Sequence, residues 1–329
     1  MIAAWRSSGR SELTQGFVEF RGYRTWYRVS GEAAPGTIPL LCLHGGPGSS
    51  SAYFSPLQQL AEREVIVYDQ LGCGESDRPD DIQWSLELFV HEVSAVREQL
   101  GLDRIHLLGQ SWGGILAQQY VLGRPGGVCS LILSSTLSSA AQWTEQTAQL
   151  FEALGPDANQ EDYDAAHMCR LDPPPPEFEE WKAKRNRAVY HAMWGPNEWT
   201  CTGALAGWDV RDRIGEGPSL LMGDFNTPET SEALMTLTKE SGFIDAFRAA
   251  NPNTNGPTVW QRIDSPESTV SRRVDFVFLL NGRSSRASVR GSRVVLDGHE
   301  RLADGTILWP SDHYGVLAEF DLARIEGSR

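Results

Sequence analysis

Apolar positions change rhythm three times along the 329 residues. Over 17–30 the run FVEFRGYRTWYRVS alternates around Gly22, which predicts an antiparallel hairpin. Four short runs then follow that are apolar almost throughout: IPLLCLH (38–44), VIVYD (65–69), RIHLLGQ (104–110) and VCSLILSS (128–135). Such runs predict strands buried on both faces of a parallel sheet. Between the second and third, Phe89, Val93, Val96 and Leu100 recur at helical spacing, and GGILAQQYVLG after Ser111 predicts another helix. Strands alternating with helices imply a parallel α/β sheet with right-handed crossovers, here over residues 1–136.

The rhythm breaks at 137–207, a helical, Trp-rich stretch interrupted by Pro173 to Pro176, which no helix interior tolerates. It predicts a helical cap inserted after the fourth strand of the parallel set. Residues 208–216 form a junction, and from Gly217 the pattern is new. PSLLMGDFN and RRVDFVFLL predict strands, TSEALMTLTKESG a helix between them, and SRVVLD and YGVLAEFDL later strands, with a polar Pro/Asn-rich loop at 249–271. The join at Glu216 and Gly217 has none of the Gly/Ser or Pro composition of a flexible linker.

Charge also divides the chain. Residues before 217 carry 28 acidic and 17 basic side chains, against 15 and 12 after it. Neither part is basic, so nucleic-acid binding is unsupported. The five cysteines are widely spaced, lack a CxxC and all precede residue 217, which predicts reduced thiols in a cytoplasmic protein. No stretch reaches ~18 uninterrupted apolar residues and the N-terminus lacks a signal-peptide core, so neither membrane spanning nor secretion is expected.

Candidate chemistry begins at Gly109-Gln110-Ser111-Trp112-Gly113, where an apolar strand gives way to a helix. A Gly-x-Ser-x-Gly turn in that context lifts the hydroxyl above the sheet edge and aims helix N–H groups at a developing oxyanion. The alternative is an incidental serine in a Gly-rich turn. His44-Gly45-Gly46-Pro47-Gly48 follows the first parallel strand and can supply the second backbone donor, which assigns the oxyanion hole to Gly46 and Trp112. His44 is expected to order this loop.

HGGPG, YDQLGCGESDRPDD (68–81), GQSWGG (109–114), CRLDP (169–173) and MWGPNEWT (193–200) occur in this order. Together they resemble the proline iminopeptidase family, the prolyl aminopeptidases of the α/β-hydrolase superfamily, over roughly 17–216. The resemblance implies Ser111 as nucleophile, release of N-terminal proline from short peptides through an acyl-enzyme, and no cofactor. It also implies substrate contacts by Gly45 and by Glu198, one of the carboxylates that take the substrate's α-amino group. A single carboxylate in a cap can measure the distance from a chain terminus to the scissile bond. The bland alternative for Glu198 is a surface charge beside Trp194 and Trp199. The cap is shorter than the family's between Asp162 and His167.

After WDVRDRIGE (208–216) the resemblance stops. The family's triad aspartate position falls on Asn226, and losing that carboxylate costs about 10⁴ in turnover in a serine protease. Beyond it lie only His299 and His313. A hybrid triad of Ser111, Asn226 or Asp224, and His313 keeps the expected order, but turnover is expected to be absent or severely reduced.

Residues 217–329 resemble instead the C-terminal half of the endonuclease/exonuclease/phosphatase superfamily, through Gly223-Asp224-Phe225-Asn226, Arg273-Val274-Asp275-Phe276 and Ser311-Asp312-His313. This implies half of an α/β sandwich behind an incomplete α/β-hydrolase sheet. It also implies a phosphoester substrate, with Asp224 and Asn226 orienting water and phosphate, Asp275 holding His313, and Asp312 helping to bind Mg2+ or Mn2+. The superfamily's N-terminal half, with its principal metal-binding glutamate, is missing. Three readings stay open: a prolyl aminopeptidase, a divalent-metal phosphodiesterase or phosphatase, and a fusion with neither activity.

Overall fold

Arg21 and Gly22, both at positive φ (53° and 84°), turn the chain between β1 (Thr14–Phe20) and β2 (Tyr23–Ser30). Two left-handed residues match the twist of a two-residue hairpin, and Phe20 pairs directly with Tyr23. The computed structural model describes residues 14–32, 34–59, 63–169, 173–174, 182–213, 219–225, 227–259, 261–262, 266–282, 285–301, 307–308 and 313–324. The chain divides after Asp212 into two compact units.

In the first unit β2 pairs antiparallel with β4 (Val65–Tyr68). From there β4, β3 (Leu40–Leu43), β5 (Ile105–Gln110) and β6 (Val128–Ser134) run parallel, giving a mixed sheet in the order β1-β2-β4-β3-β5-β6. α1 (Leu86–Gln99), capped by the Ser85 side chain, links β4 to β5, and α2 (Trp112–Leu122) links β5 to β6. The period-2 pleat sends Leu41, Leu43, Ile66, Tyr68, Ile105 and Leu107 toward both helices, where they meet Phe89, Val93, Val96, Ile115 and Leu116. Leu40, Cys42, Val65 and Val67 face the other way, onto Phe54.

β3 and β4 are buried throughout, as their sequences predict. β6 is not: all seven of its residues are only half-buried. Leu131 and Leu133 pack on the main core, while Ile132 meets a second cluster of five buried residues. That thinner side leaves the strand half-covered, although its sequence is as apolar as its neighbours'.

Among the described residues the cap includes α3 (Ala140–Glu152), α4 (Gln160–Tyr163) running into a π turn at Asp164–Met168, and α5 (Arg187–Met193). It is not a separate globule. Val189, Tyr190, Met193, Trp194 and Leu205 belong to the same buried cluster as the sheet's main face.

In the second unit β7 (Ser219–Asp224), α6 (Glu232–Lys239), β8 (Ile244–Asp245), α7 (Ala246–Ala250) and β9 (Asp275–Leu280) build an antiparallel sheet in the order β7-β9-β8. Leu234, Phe276 and Phe278 form its core with Leu221, Phe225, Leu237 and Phe243. β10 (Ser285–Val295) pairs antiparallel with β13 (Gly315–Arg324), and β11 (Glu300–Arg301) with β12 (Ile307–Leu308). The predicted strand SRVVLD is therefore the second half of a longer one. No described helix is long and apolar enough to cross a membrane.

Candidate functional site

Ser111 lies between β5 and α2 with φ 52° and ψ −122°, a left-handed conformation that costs a side-chain-bearing residue roughly 1–3 kcal/mol. The turn holds because its neighbours lack Cβ atoms. A Cβ on Gly109 would fall on the Gly113 carbonyl, and one on Gly113 on the carbonyls of Leu43 and His44. The Ser111 N–H donates to Ser134 O at 2.9 Å, and its carbonyl accepts from Gly114 N–H (2.8 Å) and the Thr136 hydroxyl (2.7 Å). Among the described residues, the other six capped α-helices each donate a backbone N–H to the side chain before them, whereas the Ser111 side chain makes no cap hydrogen bond. The hydroxyl is thus left for chemistry. The Trp112 and Gly113 N–H groups are among the helix-leading donors that no intrahelical carbonyl can serve.

Gly45 lies against this elbow: a Cβ there would meet Gln110 Oε1 and come within 3.2 Å of Ser111 Cβ. Its N–H donates to the Tyr53 hydroxyl at 2.5 Å, and that hydroxyl donates to Gln110 Oε1 at 2.7 Å. Gly46 follows at φ 127°, a conformation that favours glycine. His44 is fully buried, and burial holds its imidazole below the ordinary histidine range. Its Nδ1 hydrogen-bonds Gly45 O at 2.7 Å and its Nε2 accepts from Gln70 N–H at 3.0 Å, so both ring nitrogens are engaged. The Gln70 side chain donates to His44 O at 3.0 Å and accepts from the Trp112 indole at 2.6 Å. Gln70 therefore ties the loop bearing Gly46 to the elbow bearing Trp112. Neither Gln70 nor Tyr53 was singled out by sequence, though Gln70 sits within the YDQLGCGESDRPDD run.

The cap is pinned to the same loop. Asn186 N–H donates to Gly48 O at 2.7 Å, and Asn186 Nδ2 to Gly72 O at 2.8 Å. α5 starts there and carries Tyr190, whose hydroxyl donates to Glu198 Oε1 at 2.8 Å. Arg185 approaches the same oxygen to 3.7 Å and stacks over the Tyr190 ring at 3.8 Å. Glu198 is a part-buried group enclosed by partners, with side-chain exposure of 21%. Burial, then the charge of Glu198, pushes the Tyr163 phenol up to about 12, and both raise Tyr190 as well. Trp199 stacks on Phe151 at 3.9 Å beside them.

In the second unit the register pairs Asp224 with Asp275 across β7 and β9. His313 bridges Val259, and its Nδ1 lies 3.0 Å from Asp275 Oδ2. Ligand atoms of Asp224, Asp275 and His313 lie within 4.8 Å of one another. Thr258 Oγ1 accepts from the N–H groups of Val274 and Asp275, at 3.1 and 3.2 Å, which fixes the start of β9. Asn226 and Asp312 lie outside the described residues. One Asp275 oxygen is bonded to the imidazole, and Asp224 and Asp275 are the described carboxylates that could offer oxygens to Mg2+ or Mn2+, whose remaining positions water commonly fills. Buried next to this cluster, Arg273 pairs with Asp245 (2.6 Å) and Glu229 and lies 4.4 Å over Phe276.

Comparisons with known proteins bear mainly on the N-terminal part of the chain. Residues 38–166 match the alpha/beta hydrolase fold family. Proline iminopeptidase of Lactobacillus delbrueckii subsp. bulgaricus is 42% identical over 230 residues, covering 62% of this chain and 78% of the relative. Proline iminopeptidase of Heyndrickxia coagulans is 39% identical over 258 residues, covering 70% and 89%. The crystal structure of proline iminopeptidase from Mycobacterium smegmatis superposes with a TM-score of 0.56 at 35% identity, covering 61% of this chain and 77% of that one.

Proposed function

Because the chain belongs, over its N-terminal part, to the proline iminopeptidase family of α/β hydrolases, we propose that its first unit is a prolyl aminopeptidase-type serine hydrolase site. Ser111 is the nucleophile that takes the acyl group of an N-terminal proline. Gly46 and Trp112 supply backbone donors to the oxyanion, Gly45 keeps the approach to the hydroxyl clear, and Glu198 pairs with the substrate's ammonium. The observation that carries this reading is the Ser111 backbone, held at φ 52° with its hydroxyl excluded from helix capping. Backbone strain at a side-chain-bearing residue clusters at active sites, and here it coincides with a serine between two glycines at a strand-to-helix turn.

Acyl transfer also needs a base, and His44 is fixed as scaffold by two hydrogen bonds. By the family resemblance the triad aspartate position falls on Asn226 and the histidine segment is not present as such after residue 216, so turnover is expected to be absent or severely reduced, with deacylation slower than acylation. Release of 4-nitroaniline from proline 4-nitroanilide, with mass spectrometry of intact protein for an acyl adduct, tests this. Adduct formation or residual release that disappears in Ser111→Ala supports it. Release that persists in Ser111→Ala removes Ser111 from the reaction.

A second reading rests on the Asp275–His313 pair. By its resemblance to the endonuclease/exonuclease/phosphatase superfamily, the second unit would act on a phosphoester, with Asp275 orienting His313 so that Nε2 faces a phosphoryl oxygen and Asp224 positions water. Mg2+ or Mn2+, where bound, would supply charge neutralisation. Hydrolysis of bis-4-nitrophenyl phosphate with and without Mg2+, in wild type and His313→Ala, decides it: no difference between the two proteins ends this reading.

A further inference from the structure

Arg185 stands 3.7 Å from Glu198 Oε1, and the two side chains are 22% and 21% exposed. A charge-assisted fork to a carboxylate closes to about 2.7–2.9 Å, so this ion pair is loose. The guanidinium also lies 3.8 Å over the Tyr190 ring, a stacking that arginine's flat, weakly hydrated head favours. Tyr190 at the same time donates its hydroxyl to Glu198 Oε1 at 2.8 Å. The stacking thus keeps the guanidinium beside the carboxylate.

We propose that Arg185 is a built-in counter-ion that masks Glu198, so that the ammonium of a ligand must compete with it for the carboxylate. The proposal rests on the reading of Glu198 as the amine subsite. A like charge a few ångströms away moves the equilibrium of a partly buried cation by about 10-fold or more, and the partial exposure here puts the effect at the lower end. A neutral ligand does not feel it. Arg185 is on this account a specificity-determining residue, setting how strongly the cap discriminates a protonated N-terminus from a blocked one.

Trp194 and Trp199 flank the site, so binding can be followed by fluorescence without any turnover. The experiment titrates prolinamide, which is cationic, and N-acetylprolinamide, which is neutral, into full-length wild type, R185Q, R185K and E198Q. R185Q is expected to bind prolinamide about ten-fold tighter than wild type with N-acetylprolinamide unchanged. R185K, which keeps the charge but not the flat head that stacks on Tyr190, is expected between wild type and R185Q, and E198Q loses its preference for the cation. Should R185Q fail to fold, Arg185→Met, which retains the apolar stem, is read in the same way. If R185Q binds prolinamide no tighter while E198Q still loses it, the masking is overturned and the amine subsite stands. If E198Q binds prolinamide like wild type, or no variant binds it at all, the subsite itself is overturned and the masking with it.

Discussion

Glu92 offers a measurable consequence of how the first unit is built. It is fully buried on α1, with Oε1 accepting from the Thr25 hydroxyl (2.6 Å) and Leu71 N–H (2.8 Å). Oε2 has no hydrogen-bond partner among the described residues, nor does the Tyr68 hydroxyl. Burial pushes the carboxyl from 4.5 up to about 8, against the lowering effect of the two hydrogen bonds. Between those two values the folded chain holds a proton that the unfolded chain has released. Stability from this group is therefore full below about pH 4.5, falls as pH rises through the window, and levels off above about 8. At 1.36 kcal/mol per pH unit the window is worth about 5 kcal/mol, a large part of a typical total of roughly 5–15 kcal/mol. Glu92→Gln keeps an acceptor oxygen for Thr25 and Leu71 and has no proton to lose. Urea unfolding followed by tryptophan fluorescence, from pH 4.5 to 9 at fixed ionic strength, should show wild type losing several kcal/mol more than the variant. Subtracting the two profiles cancels the histidines. Parallel profiles, or a wild type that gains on the variant as pH rises, would refute the reasoning.

Ser111→Gly should abolish acylation while stabilising the chain by about 1 kcal/mol, the relieved strain less glycine's extra unfolded entropy, and Ser111→Ala should leave stability unchanged. Urea midpoints compare the two. Gly113→Ala places a methyl on two backbone carbonyls that cannot turn aside, and should cost about 3 kcal/mol or prevent recovery of folded protein; a loss under 1 kcal/mol contradicts the tight elbow. Arg273→Met strands Asp245, which is only 10% exposed, and should destabilise by about 3 kcal/mol in urea unfolding, since one half of a buried ion pair is left uncompensated.

Much of the first unit was legible because its sequence encodes backbone constraints directly. Gly109 and Gly113 bracket Ser111 because side chains there would strike backbone, and Gly22 marks the hairpin because the turn needs left-handed residues. The half-burial of β6 was not legible. Apolar composition reports what a strand can bury, and what covers it is decided by residues distant in sequence. β10 was half missed for a related reason: SRASVRG carries serine and arginine where a lone strand would show apolar alternation, and its partner β13 lies some thirty residues further on. β8 and α7 are too short, at two and five residues, for any period to show.

The candidate site divides along the same line. Ser111, Gly46, Trp112 and Glu198 each fall within a contiguous run of residues, and a contiguous run is what a sequence displays. Gln70 and Arg185 act through contacts between segments. Gln70 joins residues 44 and 112, and Arg185 reaches Glu198 by stacking on a tyrosine of the intervening helix. His44 shows the danger of stopping at the run. A histidine heading a glycine loop beside a nucleophile has the composition of a base, yet Gln70 N–H occupies its Nε2 lone pair and Gly45 O takes its Nδ1 proton. Protonating Nε2 would turn an acceptor against a donor, in a site where burial already disfavours the charge. A side chain held in that way can fix the loop that presents Gly46 but cannot exchange a proton with Ser111 during each turnover.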